Sequence, residues 1–417
     1  MATFPVQNIT SARAQNPVSA GGRAIVIFLA KAFQSDTRPT SEARTLRETG
    51  HTIFVLAWDR YCEFQANENV EGAIVRSFHH VNLKKSSRFG LVLGAAIFQV
   101  LLFLGTVRLI AKIAQRPIVH AHDFNTLLPS CLLKALGLTS GLVYDYRELS
   151  YAIYGEWFNP LIAHVVRVIE ERFVRYPDEI ITVCDPIAGY LRKFNRATEI
   201  VYNCPRRVDI PDLSRNEARV KLGLPVDAFI VSFIGEIRYD CRLDLMLSTA
   251  SLVNRENIHF LVVGGGPLAS QFRELALASQ VPRVTVLPRV PRESALLYLK
   301  ASDLTWIIYQ RPALSLNSRI GLPWKLFESL ACGVPPIVDR DTLRATLVNR
   351  LRCGVVLEKD TPDYISRTIV SLAENSDQYR SMSVAARRAA RDFSWEKMSR
   401  KLVDVYSRFS PVRDKDD

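Results

Sequence analysis

Residues 321–338 read GLPWKLFESLACGVPPIV, and the order of turn and helix residues in this stretch decides the fold. A proline-punctuated turn leads into a short helix carrying Lys325 and Glu328, Gly333 ends that helix, and Pro335 and Pro336 precede a small apolar strand. Two readings stay open on these residues alone. The stretch is an ordinary helix-to-strand link with Glu328 solvated, or it is a ligand site. For a ligand, the helix N-terminus offers unpaired N–H groups to an anion, Lys325 adds mobile positive charge and Glu328 can accept from a pair of hydroxyls.

Working outward, apolar runs alternate with helical stretches on both sides. Strands are expected at residues 229–234, 259–263, 284–287, 304–308 and 336–338, and in the first half at 24–30, 52–58, 73–76, 118–121, 141–144 and 179–183. Residues 41–49 read as a helix ending at Gly50. Such alternation means parallel, doubly wound sheets. The polar, proline-bearing residues 205–225 interrupt it, so the expected organisation is a disordered leader (1–22), an N-terminal Rossmann-like domain (23–205), a C-terminal Rossmann-like domain (206–395), and a terminal helix and tail (396–417) packing back on the first domain. The fold class is α/β, with two doubly wound Rossmann-like domains facing a central crevice.

Composition narrows the partners. A chain of 417 residues with 48% hydrophobic and 23% charged residues is globular, and its net charge of +12 favours anionic company. Seven scattered cysteines without a CxxC pair fit a reducing compartment and argue against a disulfide framework or a zinc site. No charged start followed by an apolar core opens the chain, so cytoplasmic residence is expected. Residues 89–107 carry no charge and are flanked by Lys84, Lys85, Arg88, Arg108 and Lys112. They read as a spanning helix, a buried core helix or, the favoured case, a helix with one apolar face in an anionic membrane interface.

Several motifs bear on chemistry. Gly264-Gly265-Gly266 follows a strand and opens a helix, but residues 285–289 hold no carboxylate for a dinucleotide ribose, which excludes hydride transfer. The glycines still imply close approach of backbone to strand or ligand. His120 and His122 share a face at the end of a strand; with no third ligand in sight, one structural and one site histidine is favoured over a metal pair. Asp145-Tyr146-Arg147-Glu148 ends the next strand in the same way. No GxSxG, HExxH, P-loop or kinase signature occurs, and basic residues without aromatic interleaving exclude a nucleic-acid binder.

With these motifs the chain resembles the family 4 glycosyltransferases of the B-type glycosyltransferase fold, over nearly its whole length. Residues 35–59, VHAHDFNTLLP, VYDYREL and residues 201–205 resemble the first domain of that family, and PWKLFESLACGVPPIV is the most specific piece. The resemblance implies transfer of a sugar from a UDP- or GDP-type nucleotide donor with retention, with no metal required. It implies that Glu328 accepts from the donor ribose, that Gly235 lies where backbone approaches the diphosphate, that His122 contacts the transferred sugar and that Val290 meets the base. Gly265 and Gly266 join the donor site, and Asp36, Arg38, Asp123, Arg147 and Glu148 the acceptor side.

Departures from the family pattern are local. Ile320 replaces a glutamate, leaving its contacts to Asn317 or Ser318, and the diphosphate-binding arginine and lysine fall at Glu236 and Cys241. Arg238 and Arg242 are expected to take over, with Lys325, in meeting leaving-group charge. A lipid-linked or saccharide acceptor of bacterial surface polysaccharide or glycolipid assembly is expected, used by an enzyme peripheral on the cytoplasmic face of the inner membrane. The alternatives are a sugar-nucleotide epimerase of the same fold and a catalytically inactive membrane-associated scaffold.

Overall fold

A computed structural model describes residues 22–80, 88–309 and 315–409. The expected leader up to residue 21, Lys84, Lys85 and the tail from residue 410 lie outside the described residues. Two compact units emerge, one of residues 1–202 with 399–417, the other of residues 203–398.

The first unit runs β1 (Ala24–Leu29), α1 (Thr37–Glu48), β2 (Thr52–Trp58), β3 (Asn67–Val70), β4 (Ala73–Phe78), α2 (Arg88–Ile113), β5 (Ile118–His122), α3 (Phe124–Ala135), β6 (Gly141–Tyr146), α4 (Ser150–Trp157), α5 (Pro160–Phe173), β7 (Glu179–Thr182), α6 (Asp185–Leu191) and β8 (Thr198–Ile200). Its strands lie in the order β3-β4-β2-β1-β5-β6-β7-β8. All pair parallel except β3 with β4, which form an antiparallel edge. The strand NENV is polar and half exposed, so it shows no apolar run to read. Helix α1 starts four residues earlier than expected. Asp36 caps it by accepting from Arg38 N, and Pro39 is tolerated because the first turn needs no N–H there.

The second unit runs α7 (Arg215–Leu222), β9 (Phe229–Ile234), α8 (Leu243–Leu252), β10 (Ile258–Val263), α9 (Ala269–Ala278), β11 (Val284–Leu287), α10 (Arg292–Lys300), β12 (Leu304–Ile307), α11 (Leu316–Ile320), α12 (Trp324–Cys332), β13 (Pro336–Asp339), α13 (Leu343–Leu351), β14 (Val355–Leu357), α14 (Pro362–Glu374) and α15 (Ser376–Ala389). Its sheet is parallel, ordered β11-β10-β9-β12-β13-β14. Val231, Phe233, Phe260, Val262, Trp306 and Ile337 form the centre of its main core.

A last helix, α16 (Trp395–Ser407), begins in the second unit and enters the first at Ser399. Within the first unit Lys401 Nζ donates to Glu199, Arg408 to Glu179, and Tyr406 OH lies 2.8 Å from His120 Nδ1.

Helix α2 is longer than the uncharged stretch suggested and is packed by one face only. Phe98, Leu102, Gly105 and Leu109 turn inward, with Gly105 against Leu56 and Phe98 against Trp58. Val92, Leu93, Ile97, Val100, Leu104 and Val107 are exposed, so the buried-core reading does not hold. It is the one described helix long and apolar enough to cross a membrane by length and composition.

Candidate functional site

Doubly wound sheets place ligands where strand order reverses, at the carboxyl ends of the strands. In the second unit that point lies between β9 and β12. Gly235 ends β9 there with φ 143°, a backbone conformation that favours glycine. An added Cβ would lie 3.2 Å from Lys325 Nζ. That ammonium sits 4.1 Å from the Phe233 ring centroid, a cation–π contact. The nearby carboxylates Glu236, Asp240 and Glu328 pair with arginines instead. Lys325 therefore has no carboxylate partner among the described residues.

Glu328, one turn further along α12, is bound by Arg292 Nη1 at 2.7 Å, and the Arg292 guanidinium carbon lies 5.4 Å from the Trp324 ring centroid. Val290, two residues before Arg292, packs against a small cluster of Ile230, Leu261 and Val263. Asn317 and Ser318 lie on α11, which Ser315 caps; the Ser318 carbonyl accepts from Arg344. Ile320 is the last residue of α11.

An added Cβ on Gly264 would meet the Gly235 carbonyl at 2.0 Å, and one on Gly266, at φ 132°, would meet the Ile237 carbonyl at 2.8 Å. Ile237 N donates to Gly265 O, and the Arg289 side chain lies against Gly265. The neighbouring loop, at least, requires glycine at 264 and 266. Against the lowering effect of burial, Asp240 at 2.9 Å raises the pKa of Arg238, Glu236 lies 3.8 Å from it, and Arg242 lies between Asp244 and Asp360. Both arginines are paired with carboxylates near them in the fold, whereas Lys325 has no carboxylate partner among the described residues. Cys241, where the family lysine falls, is buried with its thiol against the Glu236 carbonyl.

In the first unit the reversal lies between β1 and β5, and its polar residues are enclosed. His120 and His122 stack with ring centroids 4.5 Å apart. Asp145 lies 3.0 Å from His122 Nδ1, and Glu42 from α1 lies 3.4 Å from His122 Nε2. Arg38 donates twice to Asp145, at 2.7 and 3.0 Å, and to the Val201 carbonyl, and its Nε lies 3.0 Å from Glu42. Burial pushes His120 well below the ordinary imidazole range and lowers His122 too, while it pushes Glu42 well above the carboxylate range. Burial alone would raise Asp145 as well, but the Arg38 guanidinium holds it far below that range.

Ligand atoms of Glu42, His120, His122 and Asp145 fall within 4.8 Å of one another, so the third and fourth ligands missing from the sequence pattern do exist. As a donor set they suit a transition-metal dication. Arg38, in contact with both carboxylates, already supplies the positive charge, and the group is read as an ion network. Two expectations change accordingly. Arg38 is buried and saturated, so it does not face an acceptor, and the His122 ring is fully enclosed instead of presented to a sugar. Glu42 carries a signal in the sequence too: it stands four residues after Arg38 on one helix face.

Asp36, Asp123 and Arg147 stay together at the rim. Arg147 donates to Asp36 at 2.6 Å and binds Asp123 through two nitrogens, Lys31 reaches Asp36 at 2.7 Å, and these cations hold Asp36 below the usual range against the effect of burial. Asp123 adopts φ 62°, sparsely populated for a residue other than glycine. Glu148 is exposed beside them. A depression of about 680 Å³ lined by Leu252, Arg255, Arg367 and Glu374 lies elsewhere, beyond the C-terminus of α8.

Residues 214–389 match the family model of the glycosyl transferases group 1. The D-inositol 3-phosphate glycosyltransferase of Thermobispora bispora is 27% identical over 256 residues, 55% of this chain and 57% of that one. The Mycobacterium tuberculosis enzyme of the same name is 31% identical over 46% of this chain and 40% of its own length, so the chain spans about half the length of the curated relatives it matches. Among solved structures, sucrose-phosphate synthase from Thermosynechococcus elongatus superposes with a TM-score of 0.73 at 16% identity, covering 93% of this chain and 99% of that one. Anabaena HepE in complex with UDP and glucose gives 0.65 at 13%, covering 92% and 99%. Residues 214–389 thus resemble the group 1 glycosyl transferases, and the chain has the two-domain α/β fold of these solved structures, the B-type glycosyltransferase fold.

Proposed function

We propose that the protein transfers a sugar, with retention of anomeric configuration, from a nucleotide-sugar donor to a hydroxyl of a lipid-linked or saccharide acceptor, in the assembly of a bacterial surface polysaccharide or glycolipid. The observation that carries this reading is the unpaired Lys325 ammonium against Gly235 at the strand-order reversal, with Glu328 one turn away on the same helix. A diphosphate needs such a cation beside backbone it can approach closely, and a ribose needs such a carboxylate. The UDP and glucose held by Anabaena HepE support UDP donors as the first to test. Leaving-group charge is met by Lys325 and the N-terminus of α12, and no metal is required.

The test is calorimetric titration of UDP- and GDP-sugars into wild-type protein and Glu328→Ala. At least one donor binds the wild type, and the variant loses about 1.5–3 kcal/mol, the range for a hydrogen bond to a charged group. Absence of any binding to wild type would favour the scaffold reading, and release of free sugar and nucleotide without acceptor would favour the epimerase. Turnover abolished by chelator and restored by magnesium would remove the metal-free scheme.

The exposed apolar ridge of α2 supports peripheral docking on an anionic membrane, with Arg108 and Lys112 at one end. Val100→Glu combined with Leu104→Glu is expected to abolish flotation with phosphatidylglycerol vesicles. Unchanged flotation would exclude this face.

A further inference from the structure

The contact between Arg292 and Glu328 joins the first residue of α10 to the middle of α12. Arg292 Nη1 lies 2.7 Å from Glu328 Oε1 while the guanidinium rests on Trp324, so the arginine is held from two sides. Its Nη2 is buried and has no hydrogen-bond partner. The Glu328 side chain is 15% exposed, so its carboxylate stays within reach of a ligand. A carboxylate fixed by a planar guanidinium has lost its rotational freedom before any ligand arrives, which lowers the ordering cost of binding. It has also lost its net charge, which matters next to a diphosphate: an unpaired Glu328 would repel the anion that Lys325 attracts.

We propose that Arg292 is a positioning residue of the donor site, orienting the Glu328 carboxylate for a vicinal ribose diol and neutralising it against the diphosphate. This rests on the donor reading given above. Nothing in the sequence around Arg292 announces the task, because its partner lies 36 positions along the chain. Opposed to it is a gate, in which Arg292 occupies Glu328 and must leave before ribose can bind. The two roles differ in sign.

The test compares a nucleoside diphosphate with its 2′-deoxy analogue in calorimetric titrations of wild type, Arg292→Ala and Arg292→Lys, with thermal melts alongside. Wild type prefers the ribonucleotide. Arg292→Ala binds the ribonucleotide about ten- to a hundredfold more weakly, the range for one hydrogen bond to a charged group, and its preference over the deoxy form shrinks toward unity. Arg292→Lys recovers part of both. Equal weakening of the two nucleotides, with the preference kept, would reduce Arg292 to a structural contact and overturn the proposal. Tighter binding by Arg292→Ala would overturn it in favour of the gate. Failure of the wild type to bind either nucleotide would instead overturn the donor reading itself.

Discussion

The two strand-order reversals of this chain are built alike and filled differently. At the first, α1 turns Arg38 and Glu42 inward onto His120, His122 and Asp145, and every one of these side chains is buried. At the second, the corresponding helix α8 turns Leu243, Leu245 and Met246 inward, and its one charged residue, Asp244, stays exposed. Lys325 and Glu328 come there from α12 and stay partly exposed. A polar group at a strand end is therefore scaffold or reagent according to what the facing helix supplies. Where it brings a counter-charge, the cluster closes on itself. Where it brings apolar side chains, the charge above remains open to a ligand.

The largest effect expected from this contrast is on stability in the first unit. Arg38→Met leaves Asp145 and Glu42 buried without their guanidinium and should cost about 3–5 kcal/mol, the usual loss on breaking a buried pair. Urea unfolding followed by tryptophan fluorescence reads it. A loss below about 1 kcal/mol, the scale of a surface pair, would break the comparison.

Glu170 sharpens it next, as a buried carboxyl with no guanidinium beside it. Tyr146 OH donates to it at 2.8 Å, and burial raises its pKa from 4.5 to about 7. Between those values the folded chain holds a proton that the unfolded chain has released, so stability falls as pH rises through the window. Glu170→Gln removes this dependence: relative to wild type it should gain about 2.5 kcal/mol between pH 5 and 8. A pH-independent difference between the two would show that Glu170 is ionised in the fold.

The smallest effects concern the open site. Lys325→Ala should weaken binding of a nucleoside diphosphate by about 1.5–3 kcal/mol, while Arg238→Ala, already paired with Asp240, should change it by less than about 1 kcal/mol. The reverse order would return the diphosphate to Arg238.

Much of this molecule is visible in local patterns. Apolar runs marked β1, β2, β5, β6, β9 and β10, and Gly333, at φ 73° after α12, ends its helix where a left-handed cap was expected. Strands β3, β8 and β14 escaped, being short or polar and defined by pairing alone. The site's residue types were legible: Lys325 lies against Gly235, with Glu328 one turn along the same helix. Their surroundings were not: the Arg292 contact with Glu328 and the closing of Arg38 on Asp145 join positions 36 and 107 apart.

Periodicity, turn chemistry and motif spacing by themselves determined two doubly wound halves and named the residues at their strand ends, because those signals act over a few residues. Which cations are open to a ligand was decided only by the tertiary structure. An ion pair forms wherever the fold brings opposite charges together, and sequence separation carries no record of that distance.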